Sequence, residues 1–138
     1  MIPYKRHTLS NGLTVAVNRD RQSKLAAVNI LYKVGARNED PARTGFAHLF
    51  EHLMFRGTRR IPNFDLPVQM ACGDNNAFTN NDYTDFYITL PKDNVETALW
   101  LESDRMEGLD ITPEKLETEK RVVIEEFRQR YLNQPYGD

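Results

Sequence analysis

One stretch of the sequence decides much of the fold: Gly45-Phe46-Ala47-His48-Leu49-Phe50-Glu51-His52-Leu53-Met54-Phe55. Its length suits an α-helix of about three turns. At about 100° per residue, His48, Glu51 and His52 fall on one narrow stripe, and the other side chains around the helix are apolar. A helix that is apolar almost all round is typical of a protein interior, so we expect this helix to be buried. Its three titratable side chains then require partners, because an unpaired buried polar group is costly.

A divalent zinc ion would satisfy these side chains. Two histidines four residues apart on one helical face can both bind one zinc ion, at about 2.0–2.1 Å per nitrogen. A catalytic zinc takes three protein ligands and keeps a fourth position for water, and Glu51 stands beside the pair as the base that would accept a proton from that water. The alternative is that the two histidines and the glutamate bond to one another or to backbone. We favour the metal because His-x-x-Glu-His rarely arises by chance.

The third ligand must come from outside this helix. His7 is expected to be an exposed surface residue, and Cys72 a small buried residue at a helix end. The predicted last helix offers Glu119 and Glu126 instead, because both fall inside its apolar arc and are expected to point into the core. Either carboxylate could complete the site while the other orients a ligand histidine; edge placement with salt bridges is the alternative. The apolar residues of that arc are Leu116, Val122, Val123, Ile124, Phe127 and Tyr131.

Turn residues divide the rest of the chain into strands and helices. Strands are predicted on either side of the Asn-Gly turn in residues 8–17, at 25–34, and over 75–90 with an interruption at 80–82. Residues 35–44 are predicted to form a loop, and 61–73 a short helix that starts late. A capping box of Asp93 and Glu96 predicts a helix that ends before Gly108, and Thr112 with Pro113 predicts one that runs to about residue 132. This order predicts an α+β domain with helices on one face of an antiparallel sheet.

Length and composition narrow the class of protein. The 138 residues suit one domain. The chain has 18 basic and 20 acidic residues, a balance that excludes a broadly basic nucleic-acid binder. The single cysteine excludes an internal disulfide framework, and no apolar stretch approaches the length of a membrane span. Because the N-terminus lacks a signal-peptide core, we expect a cytoplasmic protein, or a periplasmic one whose export signal was removed.

The motifs together resemble those of the pitrilysin/insulinase family of zinc peptidases. The order His-x-x-Glu-His is that of the inverzincins. The similarity is to the bacterial processing-peptidase branch of the family and covers nearly the whole chain. The stretches that carry it are residues 34–37, 45–49, 51–58, 76–79, 82–84, 102–106 and 119–126.

The resemblance implies a zinc endopeptidase of short or unfolded polypeptides, with a domain like that of mitochondrial processing peptidases. It implies one zinc ion per chain, held by His48, His52 and Glu126. Glu51 matches the family's general base for the zinc-bound water, and Glu119 matches a carboxylate that supports the ligands. An edge strand to which the peptide substrate adds as an extra strand matches Asn76, Ala77, Phe78 and Thr79.

Family members are much longer, so the resemblance implies that residues 1–138 are an incomplete N-terminal zinc-binding catalytic domain. The expected partners are a peptide substrate, the missing C-terminal domain or a homologous subunit, and a second copy of the chain at an open sheet edge. One alternative is a non-catalytic binding or assembly subunit of the same fold; another is a fragment that binds zinc but is inactive without its second domain. The intact motif favours the enzyme, and a purely structural zinc site would leave Glu51 unexplained.

Overall fold

The computed structural model describes residues 2–133 as two antiparallel sheets and four α-helices. In chain order the elements are β1 (Lys5–Thr8), β2 (Thr14–Val17), β3 (Leu25–Tyr32), α1 (Phe46–Met54), α2 (Asp65–Met70), β4 (Asp74–Thr79), β5 (Thr84–Pro91), α3 (Val95–Glu107) and α4 (Pro113–Phe127). Short 3₁₀ turns span Ala36–Asn38 and Lys92–Asn94, and a π-helical stretch continues α4 over Arg128–Leu132. This arrangement confirms the predicted α+β class.

The central sheet carries the core on one face. Its order is β3-β5-β4, with all pairs antiparallel, and β1 and β2 form a separate hairpin. Alternate residues of β5 are buried on one face and pack against α2 and α3. The helices therefore lie on one face of the sheet, as predicted. The core residues are Ile61, Phe64, Val68, Ile88, Leu90, Ala98 and Leu101.

A buried ion pair joins α3 to the aromatic part of the core. Arg105 bonds to Glu102 at 2.5 Å, and both side chains are almost completely buried. The guanidinium carbon lies 4.3 Å from the ring centre of Phe86 and 4.4 Å from that of Phe64, within the range of cation–π contacts. It also lies 5.7 Å from the ring of Phe55, the residue that follows α1. This cluster supports the end of the helix that carries the two histidines.

The helix boundaries confirm some sequence signals and correct others. Thr112 caps α4, since its hydroxyl accepts a hydrogen bond from the Lys115 N–H at 3.2 Å and Pro113 is the first helical residue. The predicted capping box of Asp93 is wrong: a 3₁₀ turn precedes α3, and the N-cap is Asn94. The Asn94 side chain donates instead to the carbonyl of Ala71, and so joins the start of α3 to the end of α2.

The expected burial of α1 is wrong on one side of the helix. Only Ala47 and Leu53 are buried, whereas Phe46 and Phe50 are 49% and 50% exposed. The reason is that α1 packs against β4, β5 and α4 on one side only. Cys72 is likewise exposed rather than buried, because it lies in the left-handed turn (φ 55°) that follows α2. His7 is exposed on β1, as predicted.

The far half of α4 is also less buried than its helical pattern predicts. The pattern gives the direction of each side chain but not the extent of the neighbouring elements, and these cover only the first half of the helix. The apolar residues of α4 and its extension that remain exposed are Val122, Ile124, Phe127, Tyr131 and Leu132. Within residues 2–133, no helix is long and apolar enough to cross a membrane.

Candidate metal centre

Three side chains from α1 and α4 meet at one point. His48 and His52 lie one helical turn apart on α1, and their Nε2 atoms are 3.2 Å apart. Oε2 of Glu126, on α4, lies 3.4 Å from each of these nitrogens. We call these three atoms the ligand triangle. The structure therefore brings together the three residues that the family resemblance implies as ligands.

The ligand triangle has the dimensions that a zinc ion requires. Ligand atoms at about 2.0–2.1 Å from a tetrahedral ion lie about 3.3 Å from one another. The observed sides of 3.2, 3.4 and 3.4 Å agree with that value. Two imidazole nitrogens and one carboxylate oxygen are also a donor set that zinc accepts, with one tetrahedral position left open. The residues present thus fit the ion in both spacing and chemistry.

Glu119 lies behind the ligand triangle and holds one of its histidines. The residue is only 3% exposed. Its Oε2 lies 3.1 Å from Nδ1 of His52, and its Oε1 accepts a hydrogen bond from Nε of Arg56 at 2.5 Å. A bond to a carboxylate requires the proton of His52 to be on Nδ1, which leaves the lone pair of Nε2 directed toward the triangle. Helical spacing left the roles of Glu119 and Glu126 open; the structure places Glu119 against Nδ1 of His52 and Glu126 against the two Nε2 atoms.

The helical position of Glu126 predicts a side chain that points into the core, and this prediction is wrong. Its side chain is 46% exposed. The carboxylate lies on the rim of an open cleft of about 480 Å³, which we call the metal-side cleft. An ion held by Glu126 at the rim would be within reach of a molecule that enters from solvent. The cleft is lined by His48, Glu51, His52, Phe55, Arg56, Asp65, Asn76, Glu119 and Glu126.

Glu51 also lines the metal-side cleft, and its carboxylate is held by the sheet. The hydroxyl of Thr79, at the end of β4, donates a hydrogen bond to Glu51 Oε2 at 2.5 Å. The hydroxyl of Thr84 lies 3.2 Å from that of Thr79 and donates to the carbonyl of Val34 at 3.0 Å. The Glu51 carboxylate is therefore bonded to the end of β4, and Thr84 ties the start of β5 to the loop that follows β3.

The segment expected to bind substrate lies on β4, an edge strand of the described sheet. The N–H of Asn80 donates to the carbonyl of Tyr83 at 3.0 Å, so these two residues form a hydrogen-bonded pair. Because such pairs alternate in antiparallel strands, the main-chain groups of Thr79 and Ala77 face the open edge. The N–H of Ala77 is bonded to the side-chain oxygen of Asn76 at 2.8 Å. Phe78 lies on the other face of the strand, with its ring 5.8 Å from that of Tyr83.

A second cleft, of about 610 Å³, opens on the other side of α1. We call it the apolar cleft; Glu51 is the residue that it shares with the metal-side cleft. Burial raises the pKa of the Tyr32 hydroxyl, which lies in this cleft. The apolar residues that line it are Tyr32, Val34, Phe46, Ala47, Phe50, Met54 and Phe86.

Sequence reasoning missed two parts of the site. Arg56 follows His52 by four residues, so its position on the same helical face could have indicated a partner for a nearby carboxylate. The bond between Thr79 and Glu51 has no such signal, because 28 residues separate the two and only the packing of α1 on the sheet brings them together.

A His-His-Glu donor set beside a further carboxylate is typical of zinc hydrolases, in which the metal keeps one open position. The chain belongs to the insulinase family of peptidases: a family profile described as Insulinase (Peptidase family M16) matches residues 14–135. This match confirms the resemblance inferred from the motifs.

Individual relatives agree with the family assignment. The chain is 37% identical over 133 residues to the zinc protease PqqE of Helicobacter pylori, covering 94% of this chain and 30% of that protein. It is 30% identical over 122 residues to the β subunit of the mitochondrial-processing peptidase of Dictyostelium discoideum, covering 86% of this chain and 26% of that protein. The chain thus spans less than a third of the length of these relatives.

Solved structures give the same result for the fold. The crystal structure of a protease from Helicobacter pylori matches with a TM-score of 0.93 and 34% identity, over 99% of this chain and 33% of that one. Pitrilysin matches with a TM-score of 0.82 and 25% identity, over 94% of this chain and 14% of that one. The α+β domain and its topology are therefore those of this peptidase family.

Proposed function

We propose that this chain is the zinc-binding part of a metalloendopeptidase that hydrolyses peptide bonds in short or unfolded polypeptides. The observation that carries the proposal is the ligand triangle of His48, His52 and Glu126, whose dimensions match a zinc ion, with Glu51 in the same cleft. When bound, the zinc ion would supply a Lewis acid that polarises a water molecule and the substrate carbonyl.

The residues of the chain have separate tasks in this proposal. Glu51 accepts a proton at its carboxylate from the attacking water and returns it to the nitrogen of the leaving amine. Glu119 keeps His52 in the tautomer that offers Nε2 to the metal, and Arg56 holds Glu119 in place. Glu126 contributes a negative charge on the solvent side of the site.

The open edge of β4 is the proposed binding site for the peptide backbone. Main-chain pairing at a strand edge grips many sequences, because it uses groups that every residue has. The main-chain groups of Thr79 and Ala77 face that edge, and Asn76 lies in both the strand and the metal-side cleft. A peptide paired there would pass Glu51. The bond between the Ala77 N–H and the Asn76 side chain would have to open first.

The proposed assembly extends beyond this chain. The longer relatives support a C-terminal domain or a homologous subunit that completes the substrate site. The exposed apolar residues of α4 support the same idea, because they would be covered by such a domain. Self-association of the chain at its open sheet edge and the cytoplasmic or periplasmic location stay predictions.

The test is peptidase activity of the full-length, zinc-loaded protein on an unfolded polypeptide. Substitution of the base, Glu51→Gln, should lower kcat by about 10²–10⁴-fold and leave the zinc content unchanged. The matched control is Glu96→Gln, on the exposed face of α3, which should cleave at the wild-type rate. Equal activity of the Glu51 variant would refute the role of the base. Peptide binding without cleavage in the wild-type protein would favour a non-catalytic binding subunit.

A further inference from the structure

The hydroxyls of Thr79 and Thr84 have no part in the chemistry proposed above, yet that of Thr79 contacts the base directly. The Thr79 hydroxyl donates to Glu51 at 2.5 Å and lies 3.2 Å from the Thr84 hydroxyl. We propose that Thr79 is a positioning residue that fixes the Glu51 carboxylate and couples it to the open edge of β4. This inference rests on the proposed function, since it assumes that Glu51 is the base.

The proximity of the two threonines follows from the register of the sheet. Thr79 and Thr84 are directly opposite each other in the last pair of β4 and β5. The next pair, Asn80 with Tyr83, is hydrogen-bonded, so the threonine pair is of the non-hydrogen-bonded type. Side chains approach most closely in pairs of that type. Both side chains lie on the face of the sheet that carries α1, where the Thr79 hydroxyl meets Glu51.

The hydroxyl protons can be assigned from their acceptors. Thr84 donates its only hydroxyl proton to the carbonyl of Val34 at 3.0 Å, and its side chain is buried. The proton of Thr79 is then the one directed at Glu51, because the carboxylate can only accept. Thr84 therefore does not donate to Thr79, and its hydroxyl oxygen only lies beside that of Thr79, at 3.2 Å. A bond to one carboxylate oxygen leaves the second oxygen of Glu51 free to accept the proton of a water molecule.

Thr79 also belongs to the strand edge. Its main-chain N–H and C=O face the open side of β4, while its side chain faces Glu51. A peptide that pairs with β4 would bond to that main chain and so restrict the backbone that carries the hydroxyl. Binding of substrate would thereby order the base at the moment when it is needed. A fixed hydrogen-bond partner matters for a glutamate, because its side chain has three torsions that must be ordered to hold the carboxylate in one place.

The test compares Thr79→Val, which keeps the shape and removes the hydroxyl, with Thr79→Ser, which keeps the hydroxyl. The matched control is Thr89→Val, a threonine of β5 on the opposite face of the same sheet. Crystal structures of the full-length variants give the position of the Glu51 carboxylate. Steady-state kinetics on an unfolded polypeptide give kcat and KM, and elemental analysis gives the zinc content.

We expect the valine variant to lose the observed position of Glu51 and to lower kcat by about 10- to 100-fold, with KM and zinc content unchanged. The serine variant should restore both the position and most of the rate, and Thr89→Val should match the wild type. A carboxylate that stays in place in Thr79→Val, or a valine variant as fast as the wild type, would overturn the inference. If the wild-type protein has no activity, the proposed function fails, whereas the position of Glu51 in the two crystal structures still decides the inference.

Discussion

Replacement of Glu119 by glutamine tests how the proposed metal ligands are supported. The substitution keeps the volume of a side chain that is 3% exposed, and it removes the negative charge between His52 and Arg56. The glutamine oxygen can still accept a hydrogen bond from either His52 or Arg56. Its NH₂ group would then face the N–H of the other residue, and two donors cannot bond to each other. We therefore expect a folded protein that binds zinc more weakly.

The expected losses of zinc affinity and of unfolding free energy can be worked out from these contacts. Loss of a carboxylate that orients a ligand histidine typically weakens metal binding by about 10- to 100-fold. At a zinc concentration of 100 times the wild-type Kd, zinc stabilises the wild type by about 2.7 kcal/mol and the Glu119→Gln variant by about 0.4–1.4 kcal/mol. Without zinc, the lost bond to a charged group lowers the free energy of unfolding by about 1–2 kcal/mol, since Arg56 is half exposed and can turn to solvent.

The assay is urea unfolding with and without zinc, together with zinc competition against a chelator of known affinity. The control is Glu117→Gln, which removes an exposed carboxylate two residues earlier on the same helix. It should change the free energy of unfolding by no more than about 0.5 kcal/mol and leave zinc affinity unchanged. If Glu119→Gln gained as much stability from zinc as the wild type, the proposed support of His52 would be wrong.

Three further substitutions test the scaffold around the site. The two carboxylate oxygens of Glu39 accept the N–H groups of Gly45, the N-cap of α1, and of Ala47 in its first turn, at 2.7 Å each. Glu39→Ala should therefore lower the free energy of urea unfolding by about 1–2 kcal/mol, and an unchanged midpoint would contradict this cap. Arg105→Met leaves Glu102 buried without its partner and should lower the free energy of unfolding, measured by thermal unfolding, by about 3–5 kcal/mol. The double variant with Glu102→Leu should recover part of that loss, because no buried charge is then left unpaired. Gly57→Ala should express poorly or melt well below the wild type, because φ is +82° and the new Cβ would lie 2.3 Å from the carbonyl oxygen of Ile61; a wild-type Tm would refute the strain.

The sequence predicted the elements of the fold well, because local signals determine most of them. The apolar helix with His48 and His52, the alternation in β3 and the Thr112 cap of α4 each depend on residues close together in the chain. The errors concern tertiary packing. The apolar pattern of α1 predicts that Phe50 is buried, but a helical period cannot tell whether a second element covers that side of the helix.

The candidate metal site likewise has parts that the sequence predicts and parts that depend on tertiary packing. Helical spacing alone brings His48, Glu51 and His52 to one face of α1. The choice between Glu119 and Glu126 depends on how α4 lies across α1, and neither spacing nor charge determines that. The Thr79 hydroxyl escaped prediction for the same reason, since its bond to Glu51 exists only once α1 rests on the sheet.

The zinc content of the purified full-length protein after extensive dialysis tests the central claim most directly. The ligand triangle predicts one zinc ion per chain, which His48→Ala and Glu126→Ala should each remove while circular dichroism stays that of a folded protein. Loss of zinc in both variants would support the site as described. A folded wild-type protein without zinc, or a full complement of zinc retained in both variants, would contradict it.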